Sequence, residues 1–343
     1  MSEEITNQIR NGVIEDPRTP EEKAKDYQHE ELFAFAPAPK WEQRPPKKYP
    51  IFNQDGSGSC VSFATAKILG IDEVAEGREF KHLSPRFIYT KRANAPYEGM
   101  YLPNALAIAT KYGSPLEELV PSEGRNEAGM NIIEDITPET SRQALNFRAS
   151  GYLELKLDID TIAGILSQGK AVLLGTRFDY DEWTTYPTVN PNSKQTYGHG
   201  IAIVDNILIN GKKYLVIDDS WGANTAQEGQ RFIDEEWLAK RCFYAGYTLN
   251  LINQDQTQAD VTKPHYTFTK WLKRGDKDPD VAALQNILKY EGMFPIDVDS
   301  TGLYGAVTQK GVLLFQQKYL STNNGGKQVG PQTMAKLNEL YSK

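Results

Sequence analysis

The sequence predicts an α+β protein in which a two-lobed domain precedes a small C-terminal three-helix bundle. Apolar residues at helical spacing dominate the first part of the region 51–251, and β-rich runs dominate its second part. A polar, turn-rich stretch then leads into helical patterns at the C-terminus. The predicted segments are an N-terminal arm at 1–44, the two-lobed domain at 45–251, a linker at 252–267 and a helical module at 268–343.

Composition narrows the classes of function. The chain of 343 residues has a net charge of −7, and residues 1–33 hold nine carboxylates against four basic side chains. Because no basic stripe exists to follow phosphates, we expect no nucleic-acid partner. No apolar run approaches the roughly 20 residues that span a bilayer, so we expect no membrane span. The arm lacks the apolar core of a secretory signal, which predicts synthesis in the cytoplasm without a signal peptide.

Helix signals follow one another through the first part of the domain. Residues 59–76 place apolar side chains at helical spacing. Ser84 is an N-cap candidate followed by proline at the first helical position, and Thr137 repeats that signal. A further helix is predicted at 102–112. These helices form the first predicted lobe.

The second part of the domain changes to strand signals. The run AVLLG at 171–175 is followed by β-rich runs at 200–209 and 213–219. Asn210-Gly211 joins the last two runs, and this dipeptide is a strong hairpin signal. The second lobe is therefore predicted to be an antiparallel sheet.

A loop rich in glycine and serine, NQDGSGSCVSF at 53–63, leads into the first helix and carries Cys60. The thiolate is the nucleophile in cysteine chemistry, and the N-terminus of a helix favours an anion. Gly56 and Gly58 let the backbone of this loop approach a substrate closely. Cys60 is therefore a candidate nucleophile, and the alternative is a small buried residue that follows a turn. The other cysteine, Cys242, is interpreted as a core residue. Because the chain has two cysteines, at most one disulfide is possible.

A cysteine nucleophile needs a base within reach, and imidazole suits this role. Among the four histidines, His199 lies between two glycines at the start of an apolar strand. Asp219 ends the returning strand of the hairpin, where a carboxylate can orient the imidazole. Asp218 is its rival, but strand alternation points Asp218 to the opposite face. His199 and Asp219 are thus the candidate partners of Cys60, whereas His82 is interpreted as structural.

Together these motifs resemble the papain-type cysteine peptidases. In that family a glutamine stands six residues before the nucleophile, as Gln54 does before Cys60. The family's histidine begins a β-strand, as His199 does, and its Asn-Ser-Trp-Gly motif aligns with the DSWG sequence that starts at Asp219. The resemblance covers about 45–250. It implies a papain-like fold and hydrolysis of peptide bonds through an acyl-enzyme.

The resemblance also implies a role for each matching residue. Cys60 attacks the scissile carbonyl, and His199 pairs with the thiolate and then protonates the leaving amine. Asp219 orients His199, and Trp221 shields their contact from water. The Gln54 side chain and the backbone N–H of Cys60 form the oxyanion hole, with no cofactor and no metal ion. Two residues of the approach to the helix support the site: Gly58 and Ser59.

Three residues depart from the family's pattern. Ser57 stands where a disulfide-forming cysteine is usual, Val61 replaces a tryptophan, and Asp219 replaces asparagine. A full negative charge should stabilise the imidazolium more strongly than an amide does, which predicts a pH profile shifted upward. The family's large inhibitory propeptide has no match in the arm at 1–44. We interpret that arm as a cleavable leader, a cleft-covering segment or a solvated tail.

The C-terminal helices resemble the peptidoglycan-binding module of many cell-wall hydrolases. This resemblance covers about 269–341 and implies bacterial peptidoglycan as a partner. The matching residues are Leu272, Gly275, Val281, Leu284, Gln285, Leu288, Gly302, Tyr304, Gly305, Thr308, Val312, Phe315, Gln316, Val329, Gly330, Pro331, Thr333 and Leu337. Most of them are core or turn residues, so no glycan-contacting residue follows from the match. The alternative is a small helical docking domain.

The sequence as a whole predicts a cysteine endopeptidase that acts on a peptide or protein substrate and is directed to the bacterial cell wall. The substrate would be peptide cross-links of peptidoglycan or proteins at the wall. A non-catalytic wall-binding protein on a peptidase scaffold is one alternative, and a papain-fold amidase or transpeptidase is another. We expect the site of action to be the wall or the outside of the cell, and the missing signal peptide would fit a phage-associated enzyme.

Overall fold

The computed structural model describes most of the chain, in two units. The described residues are 12–32, 37–179, 183, 191–192, 195–252, 263–291, 293–294 and 299–342. Among them, the first unit contains residues 12–19 and 37–252, and the second contains 20–32 together with those from 263 onward. Most of the predicted linker at 252–267 and part of the predicted arm at 1–44 lie outside the described residues.

The helices of the first unit fall mainly in its first part, as predicted. In chain order the helices are α1 (Pro20–Lys23), α2 (His29–Leu32), α3 (Cys60–Ala75), α4 (Pro85–Thr90), α5 (Leu102–Lys111), α6 (Glu127–Met130), α7 (Pro138–Ala144), α8 (Ile159–Leu166), α9 (Glu235–Arg241), α10 (Pro279–Tyr290), α11 (Ala306–Tyr319) and α12 (Pro331–Tyr341). A short 3₁₀ helix, Leu145–Phe147, follows α7. Helices α3 to α9 belong to the first unit, and the remaining helices belong to the second.

The second lobe of the first unit is an antiparallel sheet. The strands are β1 (Tyr152–Glu154), β2 (Val172–Phe178), β3 (Tyr197–Ile209), β4 (Lys212–Asp218), β5 (Gln230–Ile233), β6 (Cys242–Thr248), β7 (Leu272–Lys273) and β8 (Gln328–Val329). Strands β1 to β6 form one sheet in the order β1-β6-β2-β3-β4-β5, and β7 pairs with β8 in the second unit. Asn210 and Gly211 turn β3 into β4 with φ values of 52° and 79°. The predicted α+β fold and its hairpin are confirmed.

Local sequence explains where the helices of the first lobe begin. The Ser84 hydroxyl accepts a hydrogen bond of 3.1 Å from the Phe87 N–H at the start of α4. At the start of α7, Thr137 and Thr140 each accept from the other's backbone N–H, which makes a capping box. Proline stands at the beginning of both helices. These caps satisfy N–H groups that have no acceptor within the helix.

Helix α3 and strand β3 meet closely at the point where both begin. Nearly all of α3 is buried. A Cβ on Gly200 would lie 2.7 Å from Cγ2 and 3.0 Å from Cα of Val61, closer than ordinary packing allows. Glycine therefore lets the helix approach the strand here. As a result, Cys60 at the start of α3 lies beside His199 at the start of β3.

A carboxylate joins the two loops that flank Cys60. Both cysteines of the chain are free, so no disulfide links these loops. Glu127 accepts hydrogen bonds of 2.8 Å from the Gly58 N–H and 2.8 Å from the Tyr89 hydroxyl. The Tyr89 oxygen in turn accepts from the Gly99 N–H at 3.0 Å. The loop that precedes Cys60 and the loop that contains Gly99 are therefore linked through two side chains.

The second unit contains helices α10, α11 and α12 with the β7–β8 pair, which confirms the predicted three-helix bundle. Two buried glutamines organise its turns. Gln285 Nε2 donates to Thr308 Oγ1 at 2.9 Å, and Gln285 Oε1 accepts from the Gly302 N–H at 3.0 Å. Gln316 Nε2 donates to Thr333 Oγ1 at 3.0 Å. These motif residues therefore serve the fold of the unit.

The described segment 20–32 packs within this second unit. The Tyr27 hydroxyl donates to the Met293 carbonyl at 3.1 Å, and Lys310 Nζ lies 4.1 Å from the centroid of the Tyr27 ring. Helix α2 also contacts α11. The described residues of the predicted arm at 1–44 are divided between the two units: 12–19 and 37–44 belong to the first, and 20–32 belong to the second.

Candidate active site

Cys60 is the first residue of α3 and is completely buried. The first turn of α3 carries no acidic side chain, so the partial positive charge of the helix start is not already neutralised. From the neighbouring strand, the Gly200 N–H donates to Cys60 Sγ at 3.3 Å. A backbone N–H of β3 therefore contacts this sulfur at the start of α3.

His199 connects Cys60 with Asp219. His199 Nε2 lies 2.8 Å from Asp219 Oδ1, and Cys60 is close enough to the same imidazole to raise its pKa. The structure thus brings the three residues together in the predicted order.

Burial and charge act on His199 in opposite directions. Burial disfavours the charged imidazole, but Asp219 and Cys60 outweigh this effect and raise the pKa of His199 to about 10. The pKa of Asp219 lies well below its usual range, because His199 and Arg231 outweigh its own burial. A raised pKa stabilises the fold fully below the ordinary imidazole pKa of about 6.5, and this contribution is lost as the pH rises through about 10.

Two residues that the sequence analysis missed hold the other oxygen of Asp219. Asp219 Oδ2 accepts from Trp183 Nε1 at 2.7 Å and from Arg231 Nε at 2.9 Å. Arg231 lies on β5, opposite Ile217 of β4. No spacing rule connects either residue with the DSWG motif. The one available signal is an arginine within the buried strand sequence QRFI.

Asp218 faces away from His199, as strand alternation predicts. It pairs with Lys67 Nζ at 3.3 Å and accepts from Gln230 Nε2 at 2.8 Å. Both members of the Asp218–Lys67 pair are buried. The consecutive residues Asp218 and Asp219 therefore belong to separate buried ion pairs, the first with Lys67 and the second with Arg231.

Gln54 lies beside the site and is held on two sides. Its backbone N–H donates to the Ser220 carbonyl at 2.8 Å, and the Ser220 hydroxyl donates to Gln54 Oε1 at 2.7 Å. Gln54 Nε2 donates to the Ser57 carbonyl at 2.5 Å. Since a primary amide has two hydrogens, one remains beyond the bond to Ser57.

The three supporting residues lie around the same site. The Trp221 ring is 5.5 Å from the His199 ring, measured between centroids. Ser59 occupies the N-cap position of α3. The side chain of Glu98 lies where a Cβ on Gly58 would be, so a larger residue at this position would displace that side chain.

The start of the described N-terminal arm lies directly over Cys60. The Gly12 carbonyl accepts from the Met100 N–H at 3.0 Å, and the Ile14 N–H donates to the Met100 carbonyl at 3.3 Å. Val13 thereby pairs with Met100 in parallel orientation and is buried. A Cβ on Gly12 would overlap Cys60 Sγ. This geometry fits the interpretation of the arm as a cleft-covering segment.

Other candidate groups lie outside this arrangement. The His82 ring stacks on Phe52 with centroids 4.3 Å apart, in line with its structural interpretation. Burial raises the pKa of the Cys242 thiol to about 12. In the described ranges no group of three or more His, Cys, Asp or Glu side chains is arranged to hold a metal ion. Every helix in those ranges is too short or too polar to cross a bilayer.

Solved structures of cysteine proteases share this fold. Xylellain, a cysteine protease from Xylella fastidiosa, is 18% identical with a TM-score of 0.56, and the match covers 70% of this chain and 96% of that chain. Digestive procathepsin L2 proteinase from Tenebrio molitor larval midgut is 20% identical with a TM-score of 0.52, and 73% and 81% are covered. Digestive procathepsin L 3 from the same tissue is 20% identical with a TM-score of 0.50, and 66% and 76% are covered. No protein-family model and no curated protein sequence matches the chain.

These likenesses and the sheet topology define the class of fold: the first unit is an α+β domain with the papain-like fold. The structures similar to it are cysteine proteases by name, at identities of 18 to 20%. The resemblance of the second unit to a peptidoglycan-binding module stays a prediction from its sequence.

Proposed function

We propose that this chain is a cysteine endopeptidase with Cys60 as its nucleophile. The observation that carries the proposal is the arrangement of three residues: Gly200, next to His199, donates its N–H to Cys60 Sγ, and His199 lies 2.8 Å from Asp219. Nucleophilic catalysis needs a nucleophile, a base and an orienting group in this order. A structural core does not need a buried imidazole of raised pKa beside a cysteine at a helix start. The cysteine proteases that share the fold support the same class of activity.

In the proposed reaction the Cys60 thiolate attacks the carbonyl carbon of the scissile peptide bond. The His199 imidazolium protonates the leaving amine, and the neutral imidazole then activates the water that hydrolyses the acyl-enzyme. Asp219 keeps the ring orientation in both steps. The Cys60 backbone N–H and the second hydrogen of the Gln54 amide stabilise the oxyanion. One such donor contributes about 2.7–4 kcal/mol of transition-state stabilisation.

The alternatives make different demands on the site. An amidase or a transpeptidase would use the same nucleophile, so its products rather than its geometry distinguish it from an endopeptidase. A non-catalytic scaffold would have no use for the combined Cys60, His199 and Asp219 contacts. The endopeptidase therefore remains the proposal.

In a variant that lacks the arm residues 1–19, we expect an epoxide-type thiol inhibitor to label Cys60 at least about 100-fold faster than Cys242. The reason is that a thiol whose pKa is raised to about 12 forms little thiolate. Intact-mass measurement counts the labels, and peptide mapping locates them. A cleavage profile on a peptide library then separates hydrolysis from acyl transfer by the masses of the products. Labelling of Cys242 alone would refute the assignment.

We also propose that the second unit directs the enzyme to bacterial peptidoglycan, with the wall as its site of action. The support is the sequence match, whose glutamine and threonine positions form the buried contacts of this unit. Tethering to an insoluble substrate raises the effective concentration of peptide bonds, often to the millimolar range. The proposed substrates are the peptide cross-links of the wall or proteins held on it.

Deleting residues 263–343 should lower activity on cell-wall sacculi at least about tenfold, because the enzyme is then no longer held at its substrate. Activity on a short soluble peptide should change less than about twofold, since this substrate never used the tether. Release of soluble fragments and cleavage of a fluorogenic peptide measure the two rates. Equal losses on both substrates would show that the unit has a structural role instead.

The N-terminal arm is proposed to keep this site closed until it is displaced. Gly12 lies against Cys60 Sγ, and its carbonyl is engaged by the Met100 N–H. The Arg18 guanidinium lies 5.7 Å from the centroid of the Tyr101 ring, next to Met100. A substrate must therefore displace this segment before it can contact the sulfur.

A further inference from the structure

We propose that Arg231 is a positioning residue that neutralises the charge of Asp219. Asp219 then orients the His199 ring but holds the imidazolium proton less strongly than an isolated carboxylate would. The proposal rests on the proposed function of Cys60 and His199. It concerns how that pair is tuned, and it adds a residue that no motif of the sequence indicates.

Each oxygen of the Asp219 carboxylate has its own two donors. Oδ1 contacts His199 Nε2 at 2.8 Å and accepts from the Ser220 N–H at 2.8 Å. Oδ2 accepts from Trp183 Nε1 at 2.7 Å and from Arg231 Nε at 2.9 Å. Four donors on two oxygens fix the rotation of the carboxylate. Arg231 therefore helps to decide which oxygen faces the imidazole.

The burial of Arg231 is explained by its ion pair with Asp219. Its side chain has 0% exposure, and in the described part of the chain Asp219 is the one carboxylate with which it pairs. Its Nη1 and Nη2 atoms have no hydrogen-bond partner there. The rings of Trp183 and Trp221 lie 5.0 and 5.8 Å from its guanidinium carbon. An apolar side chain would fill this space without the free-energy cost of burying a charge. The interaction with Asp219 is therefore the reason for a cation at this position.

The charge balance matters because His199 must give up its proton during the reaction. An imidazolium held too tightly is a poor acid toward the leaving amine. The Asp219 carboxylate and the Arg231 guanidinium together carry no net charge. Asp219 therefore still orients the His199 ring, but the pair stabilises the imidazolium charge less than a lone carboxylate would. At an effective dielectric constant of about 20, one unit charge about 8–12 Å away changes a pKa by about 1 to 1.5 units, and a closer charge changes it more.

The other charged groups around His199 can be assigned element by element. Cys60 faces the ring from α3, Asp219 from the end of β4 and Arg231 from β5 through Asp219. Strand β2 contributes Thr176, which is neutral and pairs with His199 in the sheet. The buried Lys67–Asp218 pair lies on the other face of the β4 end. Lys67 therefore provides a matched control: a buried cation paired with the neighbouring carboxylate.

The test uses the full-length protein with ¹⁵N-labelled histidine. The titration midpoint of His199 is followed by NMR, together with the alkaline limb of kcat/KM on a peptide substrate. Arg231→Met should raise the midpoint from its wild-type value near 10 by about one pH unit and lower kcat, with KM changed less than twofold. Arg231→Lys should keep the midpoint within about 0.3 units of the wild type, because the charge is retained. Lys67→Met should leave the midpoint unchanged.

An unchanged midpoint in Arg231→Met, or an equal change in Lys67→Met, would overturn the proposal. If Arg231→Met does not fold, Asp219→Asn and the double variant Asp219→Asn with Arg231→Met decide the question. The double variant should titrate about one pH unit above the single variant, since only the cation differs between them. Equal midpoints would overturn the proposal. A protein without residues 1–19 that cleaves no peptide and takes no label at Cys60 would refute the proposed function instead, while the titration still tests Arg231.

Discussion

Replacing Cys60 with alanine should abolish peptide hydrolysis, with kcat/KM falling at least about 10⁴-fold. Without Sγ no acyl-enzyme can form, and His199 and Gln54 alone supply only orientation and polarisation. The fold should persist, because alanine leaves only the space of one sulfur atom at the start of α3. Steady-state cleavage of a fluorogenic peptide measures the loss.

Cys242→Ala is the matched control for this experiment. It removes the other thiol of the chain, on β6, and should leave turnover within about twofold of the wild type. Circular dichroism and binding to sacculi should be alike for both variants. Turnover retained in Cys60→Ala, or lost equally in Cys242→Ala, would contradict the assignment of the nucleophile.

Deleting residues 1–19 should raise the initial rate on a soluble peptide about tenfold or more. A tethered segment competes at an effective concentration in the millimolar range, well above that of a dilute substrate. The deletion removes the pairing with Met100 and uncovers Cys60 Sγ. It leaves segment 20–32, which packs in the second unit, in place. Progress curves and the rate of Cys60 alkylation both report the change.

Two point variants separate displacement of the arm from the deletion itself. Gly12→Ala should also activate the enzyme, because the added Cβ would overlap Cys60 Sγ and lie 2.9 Å from the Gly58 carbonyl. Glu15→Ala alters an exposed residue of the same arm and should have no effect. If neither the deletion nor Gly12→Ala changes the rate, the arm does not control access to the site.

Local signals in the sequence predicted much of the fold. Ser84 and Thr137 are caps because their side chains can accept from N–H groups at a helix start, and this depends on residues only three positions away. Asn210-Gly211 defines a hairpin by its backbone conformation alone. Each of these decisions is local, so a single sequence contains the information.

The part of the site that was missed depends on contacts without a local rule. Trp183 and Arg231 reach Asp219 from two separate segments, and nothing in their spacing separates them from ordinary core residues. The course of the arm over Cys60 is equally hidden, since acidic composition describes a solvated tail as well as a docked segment. Gly12 suits close packing against Cys60, but glycine also occurs in many turns. Its presence in the sequence therefore does not predict this contact.

Arg231 also refines the expectation for the pH profile. The full charge of Asp219 beside His199 predicts a pH profile shifted upward. The raised pKa of His199 agrees with this direction. Arg231 limits its extent, since the guanidinium partly cancels the field of the carboxylate.

The contact between the two loops beside Cys60 has a consequence for redox conditions. Glu127 and Tyr89 join these loops by hydrogen bonds, where Ser57 stands in place of a disulfide-forming cysteine. A cysteine nucleophile works only while it is kept reduced, and reductants strong enough for this purpose also attack disulfides. In this chain the two requirements do not conflict. The walls of the cleft stay joined under any reductant that keeps the sulfur of Cys60 available.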